Sequence, residues 1–228
     1  MTDPSAVYRE TRERVIKLFL SLDEEELARK VPACPEWSVR DLVAHLTGCA
    51  ADWMSGAVDG YGTDAWTTAQ VRSRAGNSLQ QILEEWDELA PRFEASLNDP
   101  AAHGWPDRMP ALTIADIATH EQDLREMLGA LGAEDSEAVA IGLGTRMVGL
   151  DRRVREAGLV ALTIVASDVG QWTVGAGDPD IEVRAPQVEL FRSVSGRRSR
   201  AATESFDWTG EPGPYLDVWL PQGYAWPD

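Results

Sequence analysis

Two of the chain's three histidines, His45 and His120, fall on predicted helices, and each follows an acidic residue by four positions. Asp41 precedes His45, and Asp116 precedes His120. Residues four apart share a helix face, so each face offers a carboxylate and an imidazole to a divalent metal. Two imidazoles and one carboxylate suit Zn²⁺ and leave a fourth position for water or substrate. A structural role competes with this chemistry. Thr113 and Asp116 have the spacing of a capping box, and Asp41 follows Ser38 in the same way. His120 borders the apolar stripe of its helix. His45 lies roughly 120° from the centre of its own stripe, which predicts a rim position. Cys49, one turn after His45, either ligates as thiolate or packs as a small side chain. Cys34 reads as a structural thiol in a loop, and His103, before Gly104-Trp105-Pro106, falls outside the site. No phosphate-binding glycine pattern or nucleophile-elbow motif is present.

These residues depend on the helices that carry them. The apolar spacing of Val7, Val15, Leu18 and Phe19 predicts a helix over about 5–22. Asp23 with Glu26 predicts a capped short turn. Pro32 and Pro35 predict a loop over 31–35. Ser38 caps a helix with the stripe Val39, Leu42, Val43, Leu46, Ala50, Trp53 and Met54. Gly56–Gly62 breaks it, and 64–77 reads as a loop with a short helix. Ser78 opens another helix, striped by Leu79, Ile82, Leu83, Trp86, Leu89, Phe93 and Leu97. A loop over 98–110 leads to a helix capped by Thr113 and closed near Gly129. Long amphipathic helices with such connections predict a bundle. Beyond about Asp135 the pattern changes. A helix over 136–156, weakened by Gly142, Gly144 and Gly149, precedes strands at 158–167, 171–174 and 180–184. A helix follows at 186–194, and 202–208 reads as a final strand. The fold class is therefore α+β: a helical bundle over 1–134, then a small α+β domain over 135–228.

Composition narrows the partners. The chain has 228 residues, 43% hydrophobic and 26% charged, with a formal net charge of −17. That charge repels nucleic acid and anionic membrane surfaces. No apolar run reaches the roughly 20 residues of a membrane span. The N-terminus lacks the basic and apolar regions of a signal peptide. The two cysteines are too few for a disulfide framework. These features predict a cytoplasmic protein that binds neither nucleic acid nor membrane, and they leave monomer and homodimer both open.

The run Val31-Pro-Ala-Cys-Pro-Glu-Trp-Ser-Val-Arg-Asp-Leu-Val-Ala-His-Leu-Thr-Gly48 resembles the N-terminal signature of the mycothiol-dependent maleylpyruvate isomerase family, within the DinB-like superfamily. The helix 114–129, with His120-Glu-Gln-Asp-Leu-Arg125 and Gly129, is similar to its second signature. Pro186-Gln-Val-Glu-Leu-Phe and Ser195-Gly-Arg-Arg-Ser199 resemble its small C-terminal domain. The resemblance implies a DinB-like four-helix bundle with Zn²⁺, or another divalent metal, on His45, Asp116 and His120. The family usually supplies Glu where this chain has Asp116. Asp is one methylene shorter, so the helix must sit closer to the metal or a water must intervene.

The resemblance also implies a thiol cosubstrate, mycothiol. An open metal site lowers the pKa of a thiol. The thiolate then adds to an activated cis double bond in an isomerase, or stays on an electrophilic substrate in an S-transferase. Arg197 and Arg198 are candidates for holding carboxylates of substrate or cofactor; a solvated basic turn is the competing reading. Arg40 and Arg125 read as partners of neighbouring acids. A DinB-like metal hydrolase and a noncatalytic ligand-binding or regulatory protein are the alternative functions.

Overall fold

The computed structural model describes residues 2–167 and 169–227. It divides into two compact units, Met1–Leu131 and Gly132–Asp228. The first unit is helical. Helix α1 (Pro4–Leu20) begins where Asp3 accepts a hydrogen bond from the Ala6 N–H and Pro4 takes the first turn. Helix α2 (Glu24–Ala28) carries the expected Asp23–Glu26 capping box. Strands β1 (Lys30–Val31) and β2 (Cys34–Ser38) form an antiparallel ribbon, where the prolines led us to expect a loop. In a two-stranded ribbon each strand has an unpaired side, and Pro35 is tolerated on such an edge.

Helix α3 (Val39–Ser55) starts at the Ser38–Asp41 capping box and stops at Gly56, whose φ of 78° is left-handed. Asp41 is thus used by the helix end: its Oδ2 accepts from the Ser38 N–H at 2.8 Å. Helix α4 (Asp64–Arg74) fills most of the stretch whose sequence was ambiguous, capped by Thr63. Helix α5 (Leu79–Ser96) follows the Ser78–Gln81 capping box. A 3₁₀ turn at Pro100–His103 precedes helix α6 (Met109–Leu128), which closes at Gly129. The start of α6 corrects the expected cap at Thr113. Pro110, pre-set for a first turn, lets the helix begin at Met109, and the Thr113 hydroxyl faces Met109 Sδ at 3.8 Å. Asp116 therefore lies inside the helix and does not cap it.

The bundle is α1, α3, α5 and α6, with α4 laid along α3. Its core is built by Tyr8, Phe19, Leu42, Leu46, Ile82, Trp86 and Phe93, all essentially buried. The buried Trp86 indole N–H donates to the Tyr8 hydroxyl at 3.2 Å, so neither polar atom is stranded. Glu121, also buried, is gripped by Arg14 and Arg125, which ties α1 to α6.

The second unit holds helix α7 (Glu137–Glu156), strands β3 (Val160–Ala166), β4 (Gly170–Val174) and β5 (Ala176–Ala185), helices α8 (Gln187–Val194) and α9 (Arg200–Glu204), strand β6 (Asp207–Trp208) and helix α10 (Gly213–Leu216). The sheet order is β4-β3-β5-β6, with β3 and β5 parallel and the outer pairs antiparallel. Its apolar core includes Leu143, Leu162, Ile164, Leu190, Phe191 and Trp219. Gly142 does not break α7. A Cβ there would sit 2.7 Å from the Phe191 ring, so the glycine lets α8 approach. The expected strand over 202–208 is corrected. Ser199 accepts from the Ala202 N–H and starts α9, leaving a two-residue strand at its end. Among the described residues no helix is long and apolar enough to cross a membrane.

Candidate metal centre

Helices α3 and α6 bring His45, Asp116 and His120 together. Asp116 stands between the two imidazoles. Its Oδ2 is 3.3 Å from His45 Nε2, and its Oδ1 is 3.8 Å from His120 Nε2. The two rings are 5.2 Å apart, nearly perpendicular. Tetrahedral zinc with N and O donors at about 2.0–2.1 Å sets donor–donor separations of about 3.3–3.4 Å. Asp116 meets that separation toward His45, whereas its 3.8 Å to His120 is longer.

His45 is 2% exposed, which corrects the rim position expected from its angle on α3. Two elements unseen in the periodicity cover that face. From β2, Trp37 lays its ring 4.7 Å from the His45 ring and 5.8 Å from that of His120. From α4, Gln70 and Trp66 close the other side. Asp116 alone of the three is substantially exposed, at 34% of its side chain, so access to the group is from its side.

Both imidazoles are held from behind. His45 Nδ1 lies 2.7 Å from Gln70 Oε1. His120 Nδ1 lies 3.2 Å from the buried Asp123 Oδ2, although without the alignment of a hydrogen bond. Such outer partners fix the orientation of metal-binding histidines and leave the other nitrogen for the ion. Burial opposes a charged His45, but Cys49 and Asp116 outweigh it and raise its pKa well above the ordinary value. Burial likewise opposes charge on His120, and Asp123 and Cys34 push its pKa up to about 9. Carboxylate oxygens facing imidazole nitrogens favour positive charge at this site, and a divalent cation would suit the same donors.

Three further side chains join the cluster: Cys49, which the sequence left as ligand or packing residue, Cys34, which it read as structural, and Asp123. His45, Cys49 and Asp116 form one group of potential donors, and Cys34, His120 and Asp123 another. The Cys49 sulfur is 3.8 Å from His45 Nδ1 and 3.7 Å from Nε2. It also lies 3.6 Å from Asp116 Oδ2, so the thiol sits among the donors. Burial pushes its thiol pKa up to about 11. Cys34 is half-buried, with its sulfur 3.8 Å from Asp123 Oδ2. Asp123 had not been singled out. Its spacing of three from His120 was the available signal.

The remaining candidates sit elsewhere. In the second unit the Arg198 guanidinium forks onto Glu189, with contacts of 2.7 and 2.8 Å, and Arg197 donates to the Ser195 carbonyl at 2.8 Å. Arg198 is thereby engaged in an internal pair. Arg40 pairs with Glu24 and Arg125 with Glu121, as the sequence suggested. His103 is exposed, its ring 4.9 Å from that of Trp105.

Comparison with known proteins gives this arrangement a lineage. Two solved structures resemble the chain: a crystal structure of mycothiol-dependent maleylpyruvate isomerase and one of a histidine-to-alanine mutant of it. They superpose with TM-scores of 0.62 and 0.61 at 12% identity, covering 90% of this chain and 91% of theirs. This likeness establishes the fold. No curated protein matches the sequence. The family model described as the mycothiol maleylpyruvate isomerase N-terminal domain matches residues 8–125, which span His45, Asp116 and His120, and the chain belongs to that family.

Proposed function

We propose that this chain is a divalent-metal enzyme that uses a low-molecular-weight thiol, mycothiol, to isomerise an activated cis double bond or to transfer sulfur to an electrophile. The observation that carries the reading is the convergence of His45 Nε2 and His120 Nε2 on the two oxygens of Asp116. His45, Asp116 and His120 would hold the ion, zinc being the metal best matched to two imidazoles and a carboxylate. When bound, the metal supplies Lewis acidity that turns a thiol into a thiolate at neutral pH.

The protein's own groups do the rest. Gln70 orients the His45 imidazole from behind, and Asp123 places a carboxylate behind that of His120. Trp37 and Trp66 shield His45 from water and keep the donors in a low-dielectric setting. Asp116, open on one side, leaves room for thiol and substrate. In the isomerisation the thiolate adds to one alkene carbon, the resulting single bond rotates, and the same C–S bond breaks to return the thiolate. In the transfer the C–S bond remains. Arg197 and Arg198 are proposed to meet carboxylates of substrate or cofactor. For Arg198 this requires release from Glu189.

The test is turnover of a panel of cis-enoic and electrophilic substrates with and without mycothiol, on zinc-loaded and zinc-free protein. We expect turnover that needs both. Turnover that needs metal and ignores the thiol would shift the reading to a metal hydrolase.

A further inference from the structure

A buried carboxamide, and not a carboxylate or backbone carbonyl, stands behind His45. Gln70 is 2% exposed on α4. Its Oε1 is 2.7 Å from His45 Nδ1, and its Nε2 donates to Asp52 Oδ2 at 2.7 Å. A carboxylate only accepts, so Asp52 draws the amide N–H₂ toward itself. The amide oxygen is then the atom that faces His45, and His45 must answer with an N–H at Nδ1. The metal-facing nitrogen is thereby settled as Nε2, the atom aimed at Asp116.

The helix pairing is built for this contact. Gly48 lies three residues after His45 on α3. A Cβ there would sit 2.5 Å from Gln70 Cβ and 2.7 Å from its Cγ. Only glycine allows α4 this close. Two further contacts fix α4 in place. Trp66 Nε1 donates to the Ala57 carbonyl, and Arg74, which donates to the Gln70 carbonyl, pairs with Glu85.

We infer that Gln70, oriented by Asp52 and admitted by Gly48, is the positioning residue that holds a proton on His45 Nδ1 and so presents Nε2 to the metal. The inference deepens the metal-dependent reading, but its first readout needs no metal. Nitrogen–proton NMR of the histidine rings in metal-free protein should show a slowly exchanging His45 Nδ1–H. Gln70→Leu should abolish that protection and weaken zinc binding by about 10–100-fold, the range for lost outer partners. Asp52→Ala leaves the core untouched and should give a smaller loss in both readouts, which keeps the test valid if Gln70→Leu does not fold. The double change Asp52→Asn with Gln70→Glu restores a donor facing an acceptor and should recover protection and affinity. A folded Gln70→Leu protein with wild-type protection and zinc affinity would overturn the inference. Gln70-dependent protection in a wild type that binds no zinc would support the proton placement and overturn the metal reading.

Discussion

The interior of the α3–α6 pair and the Ser195–Ser199 turn both concentrate ionisable groups, and they treat charge oppositely. At the turn, Arg198 meets Glu189 fork to fork, and the pair neutralises itself. Between α3 and α6, two imidazoles face Asp116, with Asp123 behind one of them, and no arginine or lysine is among their contacts described above. Arg14 and Arg125 pair with Glu121. One cluster is complete within the chain. The other sets two imidazoles against one carboxylate. This difference is what the proposed metal centre between α3 and α6 rests on.

The largest effect that would break this contrast is at the ligands. His45→Ala or His120→Ala should cost more than about 100-fold in zinc affinity, beyond the range for outer partners, and thiol-dependent turnover should fall with it. Competition titration with a zinc chelator reads the first, and an electrophile assay the second. An equal loss of zinc affinity from Arg198→Ala would erase the distinction between the two clusters.

Acid and base should also separate them. His120 has its pKa raised to about 9 in the fold. A raised imidazole stabilises the metal-free protein fully below its ordinary pKa near 6.5, and that contribution is lost as pH rises through about 9. Metal-free protein should therefore lose roughly 1–3 kcal/mol of unfolding free energy between about pH 6 and pH 9.5 in urea melts. Glu189 has the opposite sign. Arg198 lowers its pKa, so its contribution is present above the ordinary carboxyl range and disappears only in acid.

The two close-approach glycines give a finer comparison. Gly142→Ala drives a methyl into Phe191, and Gly48→Ala drives one into Gln70. Each should cost roughly 1–3 kcal/mol of stability. Only Gly48→Ala should also weaken zinc binding, because it displaces the partner of His45. The smallest effect belongs to Arg198→Ala. Its partly exposed pair is worth about 1 kcal/mol or less, and zinc affinity should not change.

Much of this was legible in the sequence. The capping residues Ser38 and Ser78 and the apolar stripes behind them located α3 and α5. The signature resemblance preferred Asp116 to Asp41; Asp41 completes the capping box of α3, whereas Asp116 lies well inside α6. The misreadings have physical causes. Thr113 looked like a cap because Thr-x-x-Asp fits one, but with Pro110 in its first turn the helix already begins at Met109. His45 looked peripheral because an angle on one helix says nothing of what lies across from it. The polar face of α4 carries Gln70, and a proline-flanked strand carries Trp37; neither stripe nor period reveals that they cover an imidazole. Asp123 stayed hidden because its role exists only once His120 is turned toward Asp116.

The most direct test of the metal centre is elemental analysis of purified protein, wild type beside His45→Ala and His120→Ala, with circular dichroism to show that all three fold. The account predicts close to one zinc per chain in the wild type and little in either variant. Zinc that survives both substitutions, or a folded wild type that takes up none, would contradict it.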